Sequence, residues 1–373
     1  MKVAFIQMGP VHEELSPPFM SAVASVSEES HIFLHPGSLR SKGNVFAFSS
    51  QDKGSDKVFV NYVNLIRSEV RRIALLSWLK KNHINHVIFL TLQDVWSTSY
   101  ATRLAQEGIV CAGVIHNPMK LKNIDVRNFW CNPAFDVQPF VLANHVKDAI
   151  SISYGFNAKV IESVFNPSDL YSGAVNYSQS DQPLNISEVK NLVVLGGISY
   201  SSRDYATLIS ALLNRRSQFS GRIRITFAGG GRDRSRLIQD IDEHGLSNIC
   251  FFAEVDRDSG RVDYAAYYQY LSSASAVLVL DGSGYSNSKI TSAIPSAISF
   301  GKPVITTDPI AFTYFADESN QCWSGLTIEA ALLAYIQASS MQIDLKAKAV
   351  ADVRSKTIVN NQLAMHQFLT CKS

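Results

Sequence analysis

Residues 276–309 read AVLVLDGSGYSNSKITSAIPSAISFGKPVITTDP, and the reading of this stretch decides the fold class. Residues 277–280 form a short apolar run, as expected for a strand buried on both faces. Residues 281–287 supply turn formers, and Ser286 or Asn287 suits the N-cap of a following helix. Ile290, Ala293, Ile294, Ala297 and Ile298 recur on one helical face. Gly301 stands where a helix end needs a left-handed residue, Pro303 forbids continuation, and residues 304–306 begin another strand. A loop that ends at a helix N-terminus, on the carboxyl side of a parallel strand, suits a phosphate group. Lys289 would place an ammonium in the first turn of that helix.

Outward from this unit, strands alternate with helices along the whole chain. The first half predicts strands at 2–8, 32–34, 45–48, 87–92, 109–115, 137–143 and 159–164, and helices at 19–26, 59–81, 99–107 and 145–154. On the long helix, Ile66, Val70, Ile73, Ala74 and Leu76 make the expected apolar stripe. The polar stretch 168–184 reads as a linker. The second half predicts strands at 191–195, 222–228 and 249–255, then the opening unit. Its helices are expected at 203–214, capped by Ser201 or Ser202, and at 233–244, 262–274, 326–339 and 343–371. On the 326–339 helix, Leu326, Ala330, Leu333 and Ile336 share one side. This alternation argues an α/β protein of two Rossmann-like, doubly wound parallel-sheet domains facing a central cleft.

A chain of 373 residues suits two domains of about 150–200 residues. Lys plus Arg number 34 against 32 Asp plus Glu, a net charge of +2, and without a long basic run this argues against a nucleic-acid partner. Cys111, Cys131, Cys250, Cys322 and Cys371 are scattered without metal-ligand spacing and read as reduced thiols of a cytoplasmic protein. Neither a signal peptide nor an apolar run of about 20 residues is evident. Arg67, Arg71, Arg72, Lys80 and Lys81 suit a peripheral membrane contact or, as the plainer reading, a solvated face.

Ligands of doubly wound sheets bind beyond the carboxyl ends of the strands. The residues there are His12, Glu13 and Glu14 after the first strand, and His116 after the strand 109–115. In the second half they are Gly196, Gly197 and Ser199, then Gly229, Gly230 and Gly231. Glycines at such points permit close approach of a ligand or simply a flexible turn.

The phrases VVLGGISYSSRDYATLISAL, RITFAGGG, NICFFAEVD and SNSKITSAIPSAISFGKPVIT, in this order, resemble the group 1 (family 4-like) glycosyltransferases of GT-B fold. IHNP is similar to their histidine turn near the donor sugar, and KVIESVFNPSDL to their crossing between domains. The resemblance implies an N-terminal acceptor domain at 1–167, a linker at 168–190 and a nucleotide-sugar domain at 191–345. It further implies a helix at 346–373 that returns to the first domain. The implied activity is metal-independent transfer of a sugar from a nucleoside diphosphate sugar to a glycan or lipid-linked acceptor, with no bound cofactor. Polysaccharide biosynthesis, in the cytoplasm or at the inner membrane face, is the implied setting. Arg203 then meets the pyrophosphate, Glu254 and Val255 the base, and Gly197, Ser199, Gly229 and Gly230 the nucleotide. Tyr285, Ser286, Asn287, Ser288 and Lys289 hold the phosphates, and His116, Glu13 and His12 stand by the reacting carbon.

The chain also departs from that family. Two glutamates eight residues apart are common on the key helix, and Ser288 and Ser296 occupy those places. This leaves open a non-catalytic nucleotide-sugar-binding or scaffold protein. A nicotinamide enzyme has less support, because the first strand runs into MGPVHEEL and not into a Gly-x-Gly-x-x-Gly turn.

Overall fold

The computed structural model describes residues 1–9, 13–24, 26–37, 57–66, 68–167, 189–257, 259–280, 290–315 and 318–370. Seven strands form the first sheet: β1 (Lys2–Ile6), β2 (Glu29–Leu34), β3 (Lys57–Tyr62), β4 (His86–Phe89), β5 (Val110–Val114), β6 (Val137–Val141) and β7 (Lys159–Val160). Six form the second: β8 (Lys190–Leu195), β9 (Ile223–Ala228), β10 (Cys250–Phe252), β11 (Ala276–Leu278), β12 (Val304–Thr307) and β13 (Cys322–Gly325). Their orders are β3-β2-β1-β4-β5-β6-β7 and β10-β9-β8-β11-β12-β13, with every pair parallel. In both sheets the chain moves outward from its first strand, then crosses back over it. That reversal opens a crevice beside β1 and another beside β8. Strands such as Val3–Ile6 and Leu192–Leu195 are apolar throughout because helices cover both faces.

Several expectations shift. The predicted 59–81 helix is two elements: residues 59–62 belong to β3, and the helix is Glu69–Lys81, started by Ser68, whose side chain accepts from the Arg71 amide. The β-branched and aromatic run before Asn64 pairs with β2 instead. Leu75, Leu76 and Leu79 are the buried side of this helix, whereas Val70 is 77% exposed. Arg71, Lys80 and Lys81 are exposed, whereas Arg72 is largely covered; Arg72 and Arg103, of helix Val95–Gln106, both pair with Glu69, and Lys80 pairs with Glu107.

The helix of the opening unit is Ala293–Ser299, which starts later than the sequence predicts, and Ser286, Asn287 and Lys289 lie outside the described residues. Pro295 explains the late start. A proline is tolerated in the first turn of a helix, but in the interior its ring strikes the carbonyl four residues back. The helix after β8 is Tyr205–Asn214, capped by Asp204 and not by Ser201 or Ser202, because the Asp204 carboxylate accepts from the Thr207 amide. Leu326 is 89% exposed, and Ile328, Ala331, Leu332, Tyr335 and Ile336 line the buried side of helix Ile328–Gln337. Strand β13 carried no periodic signal. The expected strand at 45–48 and linker at 168–184 lie outside the described residues.

The two halves meet along one continuous apolar cluster that draws on both sheets. Phe165 packs against Tyr268 and Phe300 of the second half, and its amide donates to Ser299 Oγ at 3.1 Å. The last helix, Ser340–Thr370, touches both halves. Arg354 donates to the Ser299 carbonyl at 3.2 Å, and Phe368 sets its ring 5.6 Å from Phe140. Asn361 acts as a surrogate strand: its Oδ1 accepts the Glu162 amide at 3.0 Å and its Nδ2 donates to the Glu162 carbonyl at 2.8 Å.

Two lysines close helix ends. Lys190 Nζ donates to the carbonyls of Tyr335, Ile336 and Ala338. Lys302, of the GKPVI phrase, donates to the Ser272 carbonyl at 2.6 Å at the end of helix Tyr264–Ser273. Burial pushes the Lys302 amine down to about 8 from its ordinary value of 10.5.

Replacing Asn361 with leucine strands two backbone groups of Glu162, and the loss of stability should be about 2–4 kcal/mol; a melting temperature equal to wild type would overturn this role. For Lys302, the folded chain releases its proton before the unfolded chain does. Wild type should therefore gain stability relative to Lys302→Met as pH rises between about 8 and 10.5. Parallel denaturation curves across that range would contradict it.

Candidate functional site

The second sheet's carboxyl edge is a set of backbones in contact. Gly229 lies so near Gly196 that a Cβ on it would stand 1.9 Å from the Gly196 carbonyl oxygen. A Cβ on Gly230 would stand 1.7 Å from the Gly260 carbonyl oxygen. Gly231, at φ +141°, fits against Ile198, whose amide donates to the Gly230 carbonyl at 2.7 Å. Arg234 fastens this edge from below, donating to the carbonyls of Gly229 and Ala253 at 2.8 and 2.7 Å. The loop after β10 closes on itself, with the Asp256 amide on the Arg261 carbonyl and the Ser259 amide on Asp256 Oδ1.

Between these loops lies a pocket of about 560 Å³. Gly197, Gly229, Gly230, Arg232, Arg261 and Tyr267 are among its lining residues, none of which is a carboxylate. Beside it, Arg203 is 9% exposed, and its Nη1 has no hydrogen-bond partner among the described residues. Its Nη2 lies over Gly196, where a Cβ would come within 2.7 Å, so φ +88° and the missing side chain both serve the guanidinium. The Asp204 amide donates to the Leu280 carbonyl at 2.9 Å and ties this loop to the end of β11, across the crevice of the second sheet. A buried cation with open donor capacity beside a set of glycines suits an anion.

Tyr267, which the sequence marked only as part of a helix, links this pocket to the first half. Burial pushes its phenol up to about 12; a hydrogen bond with Ser296 and the nearby Arg203 guanidinium pull it down, and the Glu14 carboxylate pushes it up. Glu14 belongs to the 3₁₀ turn Glu13–Leu15 after β1, so the carboxyl edge of the first sheet reaches toward the pocket. His145 of the first half also meets the second, with its ring 4.9 Å from that of Tyr314. The Tyr314 hydroxyl accepts the Thr291 amide at 2.9 Å.

The other candidates divide. Ser199 shares the Arg232 guanidinium with Ser201. Glu254, exposed, and Val255, half-buried, follow β10. His116 stands on the first sheet's carboxyl edge, past β5 and beside Asn117, whose amide donates to Gln93 Oε1 at 2.7 Å. His12, Tyr285, Ser286, Asn287, Ser288 and Lys289 lie outside the described residues, as does the Glu13 side chain. Among the described residues there is no group of three His, Cys, Asp or Glu able to hold a metal ion. Nor is any described helix long and apolar enough to cross a membrane.

No protein-family model matches the chain, and no curated protein matches it in sequence. Among solved structures, the trehalose-6-phosphate synthase OtsA is 11% identical, with 99% of both chains covered and a TM-score of 0.63. The Anabaena protein HepE, solved in complex with UDP and glucose, is 15% identical over 99% of both chains, with a TM-score of 0.61. The lipopolysaccharide outer core galactosyltransferase WaaB is 17% identical over 100% of both chains, with a TM-score of 0.52. Together with the sheet orders, these likenesses establish a GT-B fold.

Gly229→Ala should drive a methyl into the Gly196 carbonyl and cost about 3 kcal/mol or more, lowering the melting temperature by roughly 5–10 °C. A variant that melts with wild type would mean that the two loops stand farther apart.

Proposed function

We propose that the chain is a glycosyltransferase of the group 1, family 4-like kind, which moves a sugar from a nucleoside diphosphate sugar to a hydroxyl of a glycan or lipid-linked acceptor. One observation carries the reading: the buried Arg203 guanidinium, whose Nη1 has no partner among the described residues, beside a glycine-lined pocket whose charged lining residues are arginines. Breaking the glycosidic bond to a diphosphate leaves negative charge on the leaving group. Arg203, Lys289 and the amides around Gly197, Gly229 and Gly230 stabilise that charge without a metal, while Ser199, Glu254 and Val255 border the nucleotide. Tyr285, Ser286, Asn287 and Ser288, which precede helix Ala293–Ser299 in the sequence, hold the phosphates in this reading. HepE, solved with UDP and glucose, lends the donor class support. The acceptor enters from the first half, where Glu13, His12 and His116 follow β1 and β5, and Glu14 stands near Tyr267. Polysaccharide biosynthesis, with peripheral contact at the inner membrane face, is the setting this reading favours.

A second reading, nucleotide-sugar binding without transfer, draws on Ser296. It occupies one of the glutamate places of the family and hydrogen-bonds Tyr267.

UDP, GDP or ADP should raise the melting temperature of wild type, because a ligand held by the folded state stabilises it. Arg203→Met should weaken that nucleotide by about 30-fold or more. The same variant should melt no lower than wild type when unliganded, because it removes a buried cation whose Nη1 has no partner among the described residues. An undiminished nucleotide shift in Arg203→Met would overturn the site. Turnover of radiolabelled nucleotide sugars separates transfer from binding alone.

A further inference from the structure

The first half carries a second pocket, of about 410 Å³, which the donor site does not use. Val110, Val137 and Lys159, the first residues of β5, β6 and β7, help to line it. It therefore opens at the amino edge of the first sheet, whereas the reacting groups gather at the carboxyl edge. Five residues of strand, roughly 16 Å, separate the two edges.

Its chemistry differs from that of the donor pocket. Asn132, Gln138, Asn157 and Gln367 bring four carboxamides, and Phe129 and Phe135 bring stacked rings 5.7 Å apart. Trp130 forms part of the wall at 8% exposure, and its indole N–H meets no acceptor among the described residues. Lys159 and Asp136 give the lining one charge of each sign, so it has no bias toward an anion. Carboxamides donate and accept equally, as hydroxyl groups do. Aromatic rings offer an apolar surface to the C–H face of a sugar ring, and the volume falls in the range of small-ligand sites.

We propose that this amino-edge pocket binds a neutral saccharide unit. The inference rests on the glycosyltransferase reading only for the identity of the saccharide, a remote part of the acceptor glycan. Held there, an acceptor chain is retained by a contact far from its reacting end, which raises its effective concentration at the cleft.

The chain has four tryptophans, so 5-fluorotryptophan labelling resolves Trp130 by ¹⁹F NMR, with Trp130→Phe fixing its assignment. The probes are lactose, maltose, cellobiose and N,N′-diacetylchitobiose, with sodium pyrophosphate as the anionic control. At least one disaccharide should move the Trp130 resonance while those of Trp78, Trp96 and Trp323 stay in place. The exposed pair Asn157→Ala and Gln367→Ala should weaken that saccharide at least tenfold with an unchanged melting temperature. The proposal is overturned if no disaccharide moves Trp130, if pyrophosphate moves it more, or if the double variant binds as wild type does. The UDP-induced melting shift, read on the same samples, reports the donor site separately, so failure of one site is not mistaken for failure of the other.

Discussion

Backbone contact without side chains is the constraint on which the candidate donor site depends. Gly229 against Gly196, and Gly230 against Gly260, bring three loops to a separation that a single methyl would forbid. A consequence of this closeness is that Arg203 can lie across Gly196, where its guanidinium is buried with no hydrogen-bond partner for Nη1 among the described residues. A buried cation with an unmet donor is costly, and an anion that meets it offsets that cost. The loops thus create both the space and the electrostatic demand.

Not every buried cation in the molecule makes that demand. Lys190 and Lys302 are half-buried, but each ends on helix carbonyls, where the partial negative charge of a helix C-terminus meets the ammonium. Arg234 is satisfied by two backbone carbonyls of the same edge. These residues hold the frame, and Arg203 is distinguished from them by its open donor atom.

The relation of the halves rests on contacts of another kind. Phe165, Tyr268 and Phe300 seal the crossing segment, and Asn361 borrows both backbone groups of Glu162 to fix the last helix against the first half. Near this seam, Tyr267 and Tyr314 of the second half face Glu14 and His145 of the first. A seam of rings and backbone hydrogen bonds on one side, with polar contacts along the facing edges, joins the two parallel sheets.

Much of the fold was legible in the sequence because its signals are local. An apolar run of four residues, a glycine stop and a proline are read from neighbours alone, and they marked most strands and the two-sheet plan. Residues 59–62 were misread because alternation over four residues is weaker than the helical pattern that follows, and the pairing partner β2 is distant in the chain. The late start of helix Ala293–Ser299 follows from Pro295, a signal that the apolar periodicity around it masks. The candidate site was legible in type but not in arrangement. Glycines after β8 and β9 signalled close approach, yet the sequence left open a ligand or a mere turn, and the structure shows that they also approach one another. Tyr267, Ser296 and Glu14 come from three separate segments, and no spacing could join them. Sequence determined the alternation of elements and the chemical types on the carboxyl edges. Tertiary structure decided which of those groups share one low-dielectric space, because burial and contact are properties of the packed chain and not of its order.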